Sequence, residues 1–224
     1  MTPKRSPIFL LLAMWFCVPA LALEIPVGDL DRWTTLSFRN IPANTVTARG
    51  GSLEVSVARS ASPLVHKLDR PVTITGVTIR ARWQGELSLP DGVVQGTEGF
   101  DDFVLKVGIV EAGDQTLNWV QRRIAPAWIK RLFKLAPEGS GVKRIHFLST
   151  TQQAALVGSE RVHPLSELLF ETRVHQLPEP GVLEWTYRFD EPVETLGLWL
   201  SLDGDDTASA FQVSIDQIEL ETTT

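Results

Sequence analysis

The chain has 224 residues, with 27 Asp and Glu against 21 Lys and Arg, one cysteine, and a formal net charge of −6 at pH 7. A single cysteine excludes an internal disulfide and a thiolate metal cluster, and the acidic balance argues against nonspecific nucleic-acid binding, which rests on clustered cations. The length suits one domain with its own core.

The first 22 residues read as an export signal. Lys4 and Arg5 form a basic head, Ile8 to Val18 an apolar run closed by Pro19, and Ala20-Leu21-Ala22 sets small residues at the −3 and −1 positions of a cleavage site. The run is too short to span a hydrocarbon core of about 30 Å. Cys17 follows Trp15 and Phe16, which are too bulky for a lipoprotein box. The expected product is an exported, periplasmic domain of residues 23–224, with no transmembrane segment once the signal is removed.

From there, period-two alternation dominates. Leu53, Val55 and Val57 alternate with polar or small neighbours; so do Val77, Ile79, Ala81 and Trp83 against Thr78, Arg80, Arg82 and Gln84. Phe103 to Ile109, Leu183 to Phe189 and Leu196 to Leu202 follow the same rule. Such runs predict strands with one buried face. Turn-forming breaks separate them: Arg49-Gly50-Gly51, Pro90-Asp91-Gly92, Ala112-Gly113-Asp114, Pro178-Glu179-Pro180-Gly181 and Asp203-Gly204-Asp205. About eight to ten strands of this kind predict an all-β, two-sheet, jelly-roll-like sandwich.

Two helical insertions interrupt the strands. Over residues 122–135, Ile124, Trp128, Ile129, Leu132, Phe133 and Leu135 fall on one half of a helix and Arg123, Lys130, Arg131 and Lys134 on the other. No acidic residue occurs between Gln115 and Pro137, so this helix offers a basic face to a membrane surface, an anionic polymer or a partner protein; the plain alternative is a surface helix with its apolar half on the core. Over residues 164–170, Pro164 stands at a first helical position, with Leu165, Leu168 and Leu169 on one side.

The final strand breaks parity. Phe211, Val213 and Ile215 keep step, whereas Ile218 and Leu220 resume one residue late, which predicts a β-bulge at Asp216-Gln217 and a redirected Asp216.

Candidate functional residues fall into three sets. Asp203, Asp205 and Asp206, joined by Asp216 from the next strand, form a carboxylate set suited to calcium, with a solvated Asp-Gly turn as the alternative. Asp101-Asp102 is a second acidic pair, with one carboxylate expected to cap loop backbone. Trp199 alternates out of step with Leu198 and Leu200; on an outward face beside Arg80, Arg82 or Arg188, its indole would suit a sugar ring and the guanidiniums an acidic group. Trp83 and Trp185 sit at inward, core positions. His66, His146, His163 and His175 are scattered, with no metal-ligand spacing. Catalytic motifs such as Gly-x-Ser-x-Gly and His-Glu-x-x-His are absent, and Ser214 to Glu219 lacks the alternate-acid strand of sandwich glycosidases.

Four stretches, Ser60-Ala61-Ser62, Asp101 to Val107, Leu198 to Thr207 and Val213 to Leu220, occur in an order that resembles a family of uncharacterised bacterial exported proteins, a domain of unknown function with a galactose-binding-like sandwich. The likeness runs from about Leu30 to Glu221. It departs at Asp203-Gly204-Asp205-Asp206-Thr207, where the family's loop carries a polar residue between its two Asp. The resemblance implies a fold and an envelope location, and no activity. The sequence thus points to an exported β-sandwich that binds a glycan or other envelope polymer without catalysis. The alternatives are a glycan hydrolase or lyase using Asp102, Glu171 or Glu184, and an envelope interaction factor acting through residues 122–135.

Overall fold

The computed structural model describes residues 21–164 and 166–223; the basic head and apolar run of the export signal lie outside them. The strands are β1 (Leu21–Glu24), β2 (Trp33–Thr35), β3 (Thr45–Arg49), β4 (Ser52–Ala58), β5 (Leu64–Glu86), β6 (Lys106–Gly113), β7 (Gly141–Thr151), β8 (Glu160–Val162), β9 (Leu169–Gln176), β10 (Gly181–Ser201) and β11 (Ala210–Thr222). They are hydrogen-bonded along one path, β3-β4-β11-β5-β10-β6-β7-β9-β8, with β1 beside β11 and β2 beside β5.

Two very long strands, β5 and β10, turn this path into a sandwich. Their second and first halves pair as Trp83↔Gly181 through Val72↔Thr195; their remaining halves pair as Lys67↔Gly197 through Leu64↔Leu200. The crease between them falls at Leu68–Pro71 on β5 and at two register shifts on β10, Arg188/Val193 and Thr195/Gly197. Pro71 and Pro192 sit at these breaks, where a residue without an N–H costs no ladder bond. One sheet then holds β3, β4, β11, the distal part of β5 and the first part of β10; the other holds the first part of β5, the last part of β10, β6, β7, β9 and β8. Their inner faces share one core, including Val55, Ile79, Trp83, Trp185 and Ile215 from the first and Val107, Ile109, Leu148, Leu198 and Leu200 from the second. The runs read as separate strands at 183–189 and 196–202 are therefore one bent strand. Asp190-Glu191-Pro192 bends the chain without reversing it.

The bulge in the last strand is present. Ile215 pairs with Ala81 and Gln217 with Arg80, leaving Asp216 as the extra residue. The first helical insertion forms as two short helices, α1 (Trp119–Ile124) and α2 (Ala127–Phe133), split at Ala125-Pro126 because Pro126 cannot donate into a continuous helix. The second is not helical among its described residues, 164 and 166–170: Ser166 N–H donates to His163 O and Leu169 N–H to Ser166 O, and the chain then enters β9, which pairs in parallel with β7. Among the described residues no helix is long and apolar enough to cross a membrane.

Candidate functional site: a cleft between an aromatic floor and a charged loop

The outer face of the second sheet is built in rows across neighbouring strands. Gly197, Val110, Ile145 and Leu169 form one row; Trp199, Gly108, Phe147 and Glu171 the next; Ser201, Lys106, Ser149 and Arg173 the third. Parity places all of them on the face opposite Leu198 and Val107. Composition changes along the strand direction, from aliphatic through aromatic to charged. Gly108 makes the middle row possible, because a Cβ there would lie 2.6 Å from Ile145 Cγ2 and 2.8 Å from the Phe147 ring.

Helix α2 covers the apolar end. Leu132 is fully buried there, and Val110, Ile145, Phe147, Leu196 and Trp199 complete a second small core. The Trp128 ring meets Trp199 edge to face at 6.4 Å and 81°, a favoured aromatic geometry. Arg131 donates to Thr34 Oγ1 at 2.6 Å and ties the helix to β2.

Where α2 stops, a cleft of about 320 Å³ opens. Phe38, Trp128, Phe147 and Trp199 line its apolar part; Asp101, Lys106, His163, Glu171, Asp203, Asp205 and Asp206 line the rest. Lys106 is buried, with Nζ 3.2 Å from Asp203 and 3.9 Å from Asp101. Burial opposes its charge, but Asp203, Asp101 and Glu171 outweigh that and raise its pKa above that of an ordinary lysine. Burial likewise pushes the Asp101 carboxyl up, while Lys106, His163 and Arg161 together hold it below the usual range.

Asp101, His163 and Glu171 come within 4.8 Å of one another, a spacing a metal ion would accept. Here a guanidinium fills that role. Arg161 bridges Asp101 (3.0 Å) and Glu171 (2.5 Å), and His163 Nε2 lies 2.9 Å from Asp101. Asp102 caps loop backbone as expected: it accepts from the Thr207 N–H and hydroxyl, both at 2.7 Å, and fixes the 203–207 loop at the cleft rim. On that loop, burial and the neighbouring Asp102, Asp203 and Asp206 charges push the Asp205 carboxyl up to about 6.

The sequence-derived sets assemble only in part. Trp199 does point away from Leu198 and Leu200, but it is 3% exposed and lies under α2, so it is the floor of a cleft and not a platform in solvent. Arg80, Arg82 and Arg188 lie on the other sheet and do not meet it. Each is engaged with an acid: Arg80 with Glu184 at 3.0 Å, Arg82 with Asp216 at 2.8 Å and Arg188 with Glu221 at 2.8 Å. The four-carboxylate calcium set does not form either. The bulge aims Asp216 at Arg82 and Ser52 on the first sheet, and Lys106 supplies the cation beside Asp203. Asp203, Asp205 and Asp206 stay together at the cleft, and Asp216 does not join them. Of the hydrolase candidates, Asp102 and Glu171 line the cleft and Glu184 does not.

The sequence pattern singled out neither Lys106 nor Arg161, and it read His163 as one of four scattered histidines without ligand spacing. One signal was available for Lys106: Val104, Gly108 and Val110 share its strand parity, so both faces of that stretch are apolar and the lysine stands alone among them.

These features define a β-sandwich with a ligand-sized cleft on one outer face. No family model and no curated protein matches the chain. Among solved structures it is similar to a family 29 carbohydrate-binding module (TM-score 0.37, 8% identity, 91% of this chain and 89% of that one). A point variant of the module CBM29-2 aligns at TM-score 0.39 and 8% identity over 90% of this chain and 91% of that one. The enzymatically active domain of bacteriophage CBA120 tailspike protein 4 aligns at TM-score 0.38 and 9% identity, over 87% of this chain and 20% of that one.

Proposed function

We propose that the chain is an exported envelope protein that binds a glycan in this cleft without catalysis. The observation that carries the reading is the meeting of aromatic rings and carboxylates in one cavity. Trp128 and Phe38 offer apolar surface to the C–H face of a sugar ring, and Asp205 and Asp206 offer acceptors to its hydroxyls. Apolar walls with a few converging polar groups are what small-ligand sites need, and hydrogen bonds to ionised carboxylates are the strong kind. Carboxylates outnumber cations around the cavity, which favours a neutral or amino sugar over an acidic one. Binding is favoured over hydrolysis because Asp102 and Glu171 are already committed to Thr207 and Arg161. The export reading rests on the N-terminal pattern of residues 1–22.

A calorimetric screen of the purified protein against neutral, amino and uronic-acid oligosaccharides tests this. A neutral or amino sugar should bind, and its affinity should fall about three- to tenfold from pH 7.5 to pH 5. Asp205, with its pKa of about 6, loses the charge that strengthens its acceptor bonds over that interval. Binding of uronic acids alone, or of no saccharide, would overturn the proposal.

A further inference from the structure

The fold does not explain the packing of helix α1. It has six residues and buries none of them. Its N-terminus is well made: Asn118 and Gln121 exchange backbone and side-chain hydrogen bonds, each 2.9 Å. Yet helices this short are unstable in water unless an apolar face is buried. Trp119 is 74% exposed, Ile124 77% and Val120 43%. Val120 and Ile124 stand four residues apart, on one side of the helix.

Cations surround this apolar edge. Arg122 and Arg123 are exposed on α1, and Lys130 and Lys134 follow on and after α2. Among the described residues none of these four makes an ion pair, and no acid occurs from Gln115 to Pro137 in a chain of net charge −6. Beside α1, a groove of about 630 Å³ is lined by Arg122, Lys130 and Lys134, with Glu138 as its one carboxylate.

We infer that the α1–α2 segment docks on an anionic phospholipid bilayer, with Trp119, Val120 and Ile124 entering the interface and phosphodiester headgroups facing Arg122, Arg123, Lys130 and Lys134. An exposed tryptophan beside aliphatic residues, ringed by cations, matches a surface that is apolar inside and negative at its edge. Because α2 supplies Trp128 to the cleft, docking would set the cleft mouth beside the membrane. The inference stands on α1 and holds or fails independently of the glycan.

Vesicle flotation of the full chain decides it. The chain should bind vesicles containing phosphatidylglycerol more tightly than pure phosphatidylcholine, by about tenfold or more, and each cation reversed to Glu should loosen binding by more than the about fivefold expected for removing one positive charge. Two variants, Trp119→Ser with Ile124→Ser and Arg122→Glu with Arg123→Glu, should each bind phosphatidylglycerol vesicles more weakly than the parent, by about tenfold or more. Their melting temperatures should match the parent's, since α1 buries no side chain. They share the parent's N-terminus, so any attraction due to residues 1–22 cancels. No preference for phosphatidylglycerol in the parent, or parental binding in either variant, would overturn the inference; the second result includes the case of a purely electrostatic patch, in which only the charge variant fails.

Discussion

Replacing Lys106 with Met should destabilise the fold by about 3–5 kcal/mol, the cost of leaving buried carboxylates without their cation. Lys106 is buried between Asp203 at 3.2 Å and Asp101 at 3.9 Å, and its Nζ lies over the Phe103 ring, 4.8 Å from the centroid. Methionine keeps the stem's volume and removes only the charge. Urea unfolding at pH 7 should show the loss, and the deficit should shrink as pH falls, because protonating the stranded acids removes the uncompensated charge. Adding Asp203→Asn to the lysine variant should recover part of the stability, since the two groups form one unit. A single variant within about 1 kcal/mol of the parent would mean that water already compensates these acids.

Trp199→Ala carries a comparable expected loss, about 3–5 kcal/mol, for removal of a buried tryptophan. The ring lies on the second sheet beneath α2, against Trp128 and in the cluster with Val110, Phe147 and Leu132. Its removal leaves a void that helix α2, tied down by Arg131, cannot readily close. The denaturation midpoint should fall while the urea dependence keeps its slope, as expected when stability changes and compactness does not. A loss below about 1 kcal/mol would place the indole in solvent, contrary to its burial.

These two residues also show where the sequence was legible. Alternation located β4, the distal half of β5 and the parity of β10, because a strand with one buried face writes its environment into every second residue. The bulge at Asp216 was equally readable, since a parity slip within one strand has few other causes. The partner of Asp216 was not: which side chain a bulge addresses depends on the neighbouring strand, here Arg82 on β5. Trp199 failed for a related reason. Parity says which face a side chain is on, but not whether a helix from elsewhere in the chain covers that face. The run at Pro164 carried a helical spacing of leucines, yet parallel pairing of Leu169 with Ile145 drew the segment into β9, a case of tertiary context overriding local pattern. The cleft itself gathers residues from β6, β7, β9, β10, α2 and the loops between strands, so no local pattern announced it.

The central claim is that a glycan occupies the cleft through Trp128 and the Asp205-Asp206 rim, and one titration tests it most directly. The neutral or amino oligosaccharide that binds most tightly should be titrated calorimetrically into the parent, into Trp128→Ala, and into the Arg80→Ala/Arg82→Ala double variant. Loss of a stacking ring should weaken binding by about 1–3 kcal/mol, on the scale known for base–aromatic stacking, while the arginine variant should bind as the parent does, because those guanidiniums lie on the other sheet and face Glu184 and Asp216. The reverse outcome, with full affinity retained by Trp128→Ala and lost by the arginine variant, would contradict the account.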